Sequence, residues 1–170
     1  MSAKTIRDID VIRTFVLQGT LNFTRYFFKI RQKRKFVVGK HHREIAAALD
    51  KVLCGEITRL IINIAPRYGK TELAVKNFIA EGLAINPKAK FIHLSYSDDL
   101  ARDNSRGVQD IINEPEYRRI FPATIPTSTN TKKWYTTEGG GLYAVSSAGQ
   151  VTGFGAGLVD EEENDEDDDM

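Results

Sequence analysis

Apolar positions recur at helical spacing through the first third of the chain and then switch to short unbroken runs. Ile9, Ile12, Phe15 and Val16 fall on one helical face, and Gly19-Thr20 interrupts it. Asn22 can cap a second helix whose apolar stripe is Phe23, Tyr26, Phe27 and Ile30. A third helix is predicted from His42 to Leu53, with Ile45, Leu49, Val52 and Leu53 inward and Gly55 as its stop. Arg59-Leu60-Ile61-Ile62-Asn63-Ile64 reads as a buried strand, short, branched and ended by the breaker Pro66. Helical spacing returns at Val75, Phe78, Ile79 and Leu83 and stops at Asn86-Pro87.

Phe91-Ile92-His93-Leu94-Ser95 predicts a second strand, and Ser97 caps a helix with Leu100, Val108, Ile111 and Ile112 inward. Asp98 and Asp99 suit the positive first turn of that helix rather than acid/base work, since adjacent helical residues face different ways. Strand, helix, strand, helix implies a parallel pair with a right-handed crossover, hence an α/β layered sheet. Residues 116–121 make one helical turn, and 122–133 a polar linker. Trp134-Tyr135-Thr136-Thr137 and Leu142-Tyr143-Ala144-Val145 flank Gly139-Gly140-Gly141, a hairpin signal. Residues 146–157, rich in Gly, Ser and Ala, suit either a loop near a ligand or a plain connector.

Composition adds bounds. A chain of 170 residues with 41% hydrophobic and 28% charged residues forms one soluble globular domain. The single cysteine, Cys54, is expected to be a buried packing residue, and no Cys/His cluster has metal spacing. No apolar run approaches the roughly 20 residues of a membrane span. The net charge of +1 hides an asymmetry: nine of the 23 acids stand between Asp160 and Asp169, leaving +10 on the remainder. That acidic run is expected to be disordered, and the basic body points to a polyanionic partner.

The chemistry lies between the first strand and the helix that follows. Ala65-Pro66-Arg67-Tyr68-Gly69-Lys70-Thr71 ends in Gly-Lys-Thr, with a strand predicted before it and a helix after. That is the layout of a phosphate-binding loop. N–H groups at a helix start face the anion, Lys70 reaches the β- and γ-phosphates, and the Thr71 hydroxyl meets Mg²⁺. The leading glycine of the usual pattern is Ile64 here. The bland alternative, a solvated lysine, is weakened because a cation at a helix start opposes the dipole. Arg25, Lys29, Arg31, Lys33, Arg34, Lys35, Lys40 and Arg43 form an acid-free basic stretch with interleaved aromatics. It reads either as a surface for nucleic-acid backbone or as a solvated face. His41, His42 and Arg43 stand where they can contact an adenine.

The order of these features resembles the N-terminal ATPase part of the large terminase subunit of tailed phages, the motor that drives DNA into a procapsid. The resemblance rests on Lys40-His41-His42-Arg43-Glu44-Ile45, on Ile62-Asn63-Ile64-Ala65-Pro66-Arg67-Tyr68-Gly69-Lys70-Thr71 and on Ser95-Tyr96-Ser97 with Leu100-Ala101. It continues in the glycine-rich Ser147-Ala148-Gly149-Gln150-Val151-Thr152-Gly153-Phe154-Gly155-Ala156-Gly157. The resemblance implies a P-loop NTPase-like parallel sheet with flanking helices, incomplete and preceded by basic N-terminal helices. Its parts are a basic helical segment over 1–40, a partial ATPase domain over 41–158 and an acidic tail over 159–170.

It further implies ATP and Mg²⁺ as cofactors, with Pro66, Arg67, Tyr68, Gly69, Lys70, Thr71 and His42 as the nucleotide site. Lys70 and Arg67 act on the γ-phosphate, and Thr71 holds the metal. Phe154 stands where many relatives carry a finger arginine. The implied partners are double-stranded DNA, the small terminase subunit and the portal protein, with a ring of copies at the procapsid in the bacterial host cytoplasm. The family continues into an apolar strand ending in two acids and then a nuclease. Here an acidic run follows Leu158 and Val159 in place of that strand, so this chain is expected to bind nucleotide weakly without turning it over. Two other readings remain open from the residues: a different P-loop NTPase of helicase or kinase type, and a non-catalytic DNA-binding piece.

Overall fold

The computed structural model describes residues 8–147. Three helices open it: α1 (Asp8–Val16), α2 (Thr20–Gln32) and α3 (Lys40–Leu53). The break at Gly19 falls as the periodicity predicts, but α2 begins at Thr20, and Asn22 lies inside its first turn rather than capping it. A carboxylate from α3 serves instead: the Thr20 N–H donates to Asp50 Oδ1 at 2.7 Å. Gly55, at φ +80°, ends the α3 region in the left-handed conformation that glycine favours.

Residues 59–64 are not a strand. No ladder hydrogen bond pairs them with the sheet, and Ile61 is 94% exposed. The branched apolar run that suggested a strand stays outside the sheet, and Ile62 and Ile64 pack against Ile45, Ala46, Leu49 and Leu73 instead of docking on a sheet edge. Side-chain packing on α3 thereby overrides the local strand preference. After the loop, helical winding resumes at Lys70, with Glu72–Asn77 wound as a π segment and α4 (Phe78–Ile85) continuing it. The Asn77 side-chain amide donates to the Glu72 carbonyl at 2.7 Å across this wide turn.

The sheet has three strands in the order β1 (Lys90–Ser95), β3 (Gly141–Ser146), β2 (Lys133–Tyr135). β1 runs parallel to β3, with Phe91 opposite Leu142 and Leu94 opposite Val145, whereas β2 pairs antiparallel with β3. The sheet is therefore mixed, and the parallel pair expected between 59–64 and β1 is formed by β1 and β3. Between β1 and β2 lie α5 (Asp98–Asn113), capped by Ser97 Oγ, and α6 (Pro115–Ile120). The hairpin forms where the glycines predict it. Gly140 is required there, because a Cβ would fall 2.3 Å from the Pro87 carbonyl oxygen.

One large core gathers α1, α2, α4, α5, α6 and the sheet. Its centre is aromatic: ring centroids lie 4.6 Å apart for Phe23 and Phe27, 5.3 Å for Phe27 and Tyr117, and 5.1 Å for Tyr117 and Phe121. The polar tips are satisfied, since Tyr117 Oη donates to the Ala80 carbonyl at 2.8 Å and Trp134 Nε1 to Ser105 Oγ at 2.9 Å. Two inward expectations fail. Cys54 is exposed because it lies outside the arc of α3 that carries His42, Ile45, Ala46 and Leu49. Leu100 is half exposed because it stands at the edge of the arc that buries Ala101, Val108, Ile111 and Ile112. No described helix is long and apolar enough to cross a membrane. The architecture is a mixed α/β one, a small sheet with flanking helices.

Candidate functional site

Residues 65–71 carry the largely exposed 59–64 segment into the helix, and all but Gly69 are exposed. Pro66 and Arg67 form the turn, with Arg67 at φ +68° and Gly69 at φ +75°. Glycine adopts that conformation freely, whereas in an arginine it costs about 1–2 kcal/mol. An arginine held there is locally disfavoured, so the surrounding contacts must fix it.

His42 holds the two residues that follow Arg67, Tyr68 and Gly69. Its Nδ1 accepts the Gly39 N–H at 2.9 Å, which places its proton on Nε2, and Nε2 lies 2.9 Å from the Tyr68 carbonyl oxygen. Burial holds the imidazole below its ordinary pKa, consistent with this neutral tautomer. A Cβ at Gly69 would stand 2.8 Å from the same Nε2, so the ring lies directly beneath the loop and only glycine fits above it. His41 Nε2 approaches His42 Nε2 at 3.1 Å, and the Tyr68 ring meets His41 edge-on at 5.5 Å. The structure thus brings His42 to the loop as a support for its backbone, with both ring nitrogens engaged.

Lys70 curls back over the loop, its Nζ donating to the Ile64 carbonyl at 3.2 Å while staying exposed. The first helical bond runs from Leu73 N to Gly69 O at 3.0 Å, so the N–H groups of Lys70, Thr71 and Glu72 have no acceptor among the described residues. The nearby acid is already neutralised. Glu72 Oε1 accepts from Arg31 Nη1 and Asn77 Nδ2, each at 3.0 Å, in a largely buried pair. Orphan donors, the positive end of the helix, Lys70 and Arg67 together leave a local excess of positive charge that suits a polyanion. Thr71 is exposed beside Lys70. Among the described residues no three His, Cys, Asp or Glu side chains gather to hold a metal.

The basic stretch divides. Arg31 is committed to Glu72, Arg34 lies 5.6 Å over the Phe28 ring, and Lys40 meets Glu44 at 3.8 Å. Arg25, Lys29, Lys35 and Arg43 are exposed and line one groove. Phe154 and the glycine-rich stretch from Ala148 onward lie outside the described residues, as does the acidic run.

The apolar spacing of 75–83 did not foretell the π segment or the burial of Asn77 within it. Nor did it foreshadow Glu81, an acid sunk in the apolar stripe of α4 and 1% exposed. No family model matches the chain, and no curated protein or solved structure is significantly similar to it.

Proposed function

We propose that the chain binds the polyphosphate of ATP at residues 65–71 and is the nucleotide-binding part of a phage DNA-packaging motor of the large-terminase class. The observation that carries the nucleotide reading is the start of the helix at Lys70. Three unpaired N–H groups sit there beside an exposed ammonium, on a loop whose backbone His42 holds at Tyr68. A bound phosphate accepts those N–H groups, and Lys70 exchanges the Ile64 carbonyl for a phosphate oxygen. Arg67, fixed in the turn, adds a second cation, and Pro66 and Tyr68 shape the loop around it. Mg²⁺, when bound, neutralises phosphate charge, and Thr71 is the residue that would hold it.

The larger assignment rests on the resemblance of the loop and its flanks. It brings double-stranded DNA, the small terminase subunit and the portal as partners, and hydrolysis coupled to DNA movement in a ring of copies. A second reading, a nucleic-acid-binding piece without catalysis, is favoured by the cation-lined groove.

The test is a calorimetric titration with ATP and Mg²⁺. Lys70→Ala is expected to weaken binding at least tenfold with an unchanged melting temperature, since a point charge is lost and no packed group is removed. Equal affinities would remove the phosphate-loop reading.

A further inference from the structure

α2 ends at Lys33, which adopts the left-handed conformation at φ +54°. The chain thereby turns sharply and runs back to Gly39, where α3 starts. Between this returning connector, α1 and α2 lies a groove of about 430 Å³. Its walls are apolar, built from Phe15, Tyr26, Phe36 and Val38, and four cations stand on it: Arg25, Lys29, Lys35 and Arg43. No acid lines it. None of the four cations has an ion-pair partner among the described residues.

Two of the four walls, Tyr26 and Phe36, are held from behind. Tyr26 Oη donates to Glu116 Oε1 at 2.7 Å, which fixes its ring and leaves that acid paired with Arg119 on the far side. Phe36 is wedged edge-on between Phe28, at 5.1 Å, and His42, at 4.9 Å. Phe15 stays 45% exposed although it belongs to the apolar face of a helix whose Val16 is fully buried.

We infer that this groove binds a single-stranded nucleic acid, with a base against Phe15 and Phe36 and the flanking phosphates on Arg25, Lys29, Lys35 and Arg43. Four unpaired cations without an acid select a polyanion, and aromatic walls, with Phe15 exposed and Phe36 and Tyr26 half-buried, select one that offers planar apolar faces. A duplex meets the first requirement and fails the second, because its bases are stacked on one another. An acidic peptide likewise brings charge without rings. The volume is that of a cleft for one small ligand, enough for an unstacked nucleotide unit and too small to admit a double helix. This inference goes beyond the nucleotide site and does not rest on it.

Fluorescence anisotropy of the full chain tests it, using a labelled oligothymidylate, a blunt duplex of the same length and unlabelled polyglutamate as competitor. The oligothymidylate is expected to bind at least tenfold more tightly than the duplex. Its affinity is expected to fall with a log–log salt slope of about −3 for four phosphate contacts. Phe15→Ala, at an exposed position, is expected to weaken it about tenfold or more through lost stacking. Arg25→Glu with Lys29→Glu is expected to weaken it about a hundredfold. Lys70→Ala is expected to leave it unchanged, which separates this site from the phosphate loop. Duplex binding as tight as the single strand, or polyglutamate competing as well at equal charge, overturns the inference. Retained affinity in both groove variants, with circular dichroism showing them folded, also overturns it.

Discussion

In the larger core Phe23, Phe27, Tyr117, Trp134 and Leu142 are almost wholly removed from water, whereas in the smaller one Ile62 and Ile64 are only half covered. The larger core draws on five helices and the sheet. The smaller draws on α3, the 59–64 segment and the first turns after the loop, and it carries the candidate phosphate site. Backbone support differs in the same way. The strands of the sheet exchange a full set of ladder bonds, while 59–64 has none. The molecule therefore places its candidate site beside a segment less secured than its larger core, where local opening costs less and a loop can adjust around an anion.

The widest separation between the two regions is expected from Phe27→Ala. It removes a ring that packs on Phe23, Tyr26, Tyr117 and Phe121, and it should destabilise the whole fold by about 3–5 kcal/mol in denaturant titration. A loss confined to α2, with the sheet intact, would mean that the large core is not one cooperative unit.

Glu81 sits where the two cores meet through α4. Burial, reinforced by the nearby Asp50 carboxylate, pushes its carboxyl up to about 8 from an ordinary 4.5, and its Oε2 has no hydrogen-bond partner among the described residues. A carboxyl raised in the folded state binds its proton more tightly there than in the unfolded chain. Its contribution to stability is therefore complete below about pH 4.5 and is lost as pH rises towards 8. His42 and His93, both lowered by burial, act in the opposite sense and weaken the fold as pH drops below 6.5. Glu81→Gln is expected to raise stability by a few kcal/mol near pH 9 and to remove most of the alkaline decline. An unchanged pH profile would place that decline elsewhere.

Much of this arrangement was legible in the residues, and the failures share one cause. The helical stripes of α1, α2, α3 and α5, the Ser97 cap and the triple-glycine hairpin were readable because each rests on local spacing or turn chemistry. The 59–64 segment was misread because its branched residues favour extension, while its pairing was settled by contact with α3. Asn22 was displaced as a cap by Asp50, which stands 30 residues from Thr20 in sequence and reaches its N–H only through the packing of α3 beside α2. The loop residues were visible as a motif, yet His42's place beneath Gly69 follows from the packing of α3 and not from any spacing. Burial of Glu81 was likewise hidden, since an acid on a helix is ordinarily solvated.

A smaller effect probes the weaker region alone. Ile64→Ala trims a half-buried side chain from the small cluster and is expected to cost about 1–2 kcal/mol, roughly half of a full core truncation. The cost should appear as faster amide exchange around residues 59–73, with the sheet unaffected. Equal acceleration in β1 and β3 would mean that the two cores open together.

Amide hydrogen exchange with and without ATP and Mg²⁺ tests the central claim most directly. If the loop holds the phosphates, the N–H groups of Lys70, Thr71 and Glu72 gain an acceptor on binding. Exchange at those amides is then expected to slow at least tenfold, with little change in β1 and β3, and Lys70→Ala is expected to abolish the slowing. Protection that appears elsewhere, or unchanged exchange at residues 70–72 under saturating nucleotide, would contradict the assignment of this loop as the phosphate site.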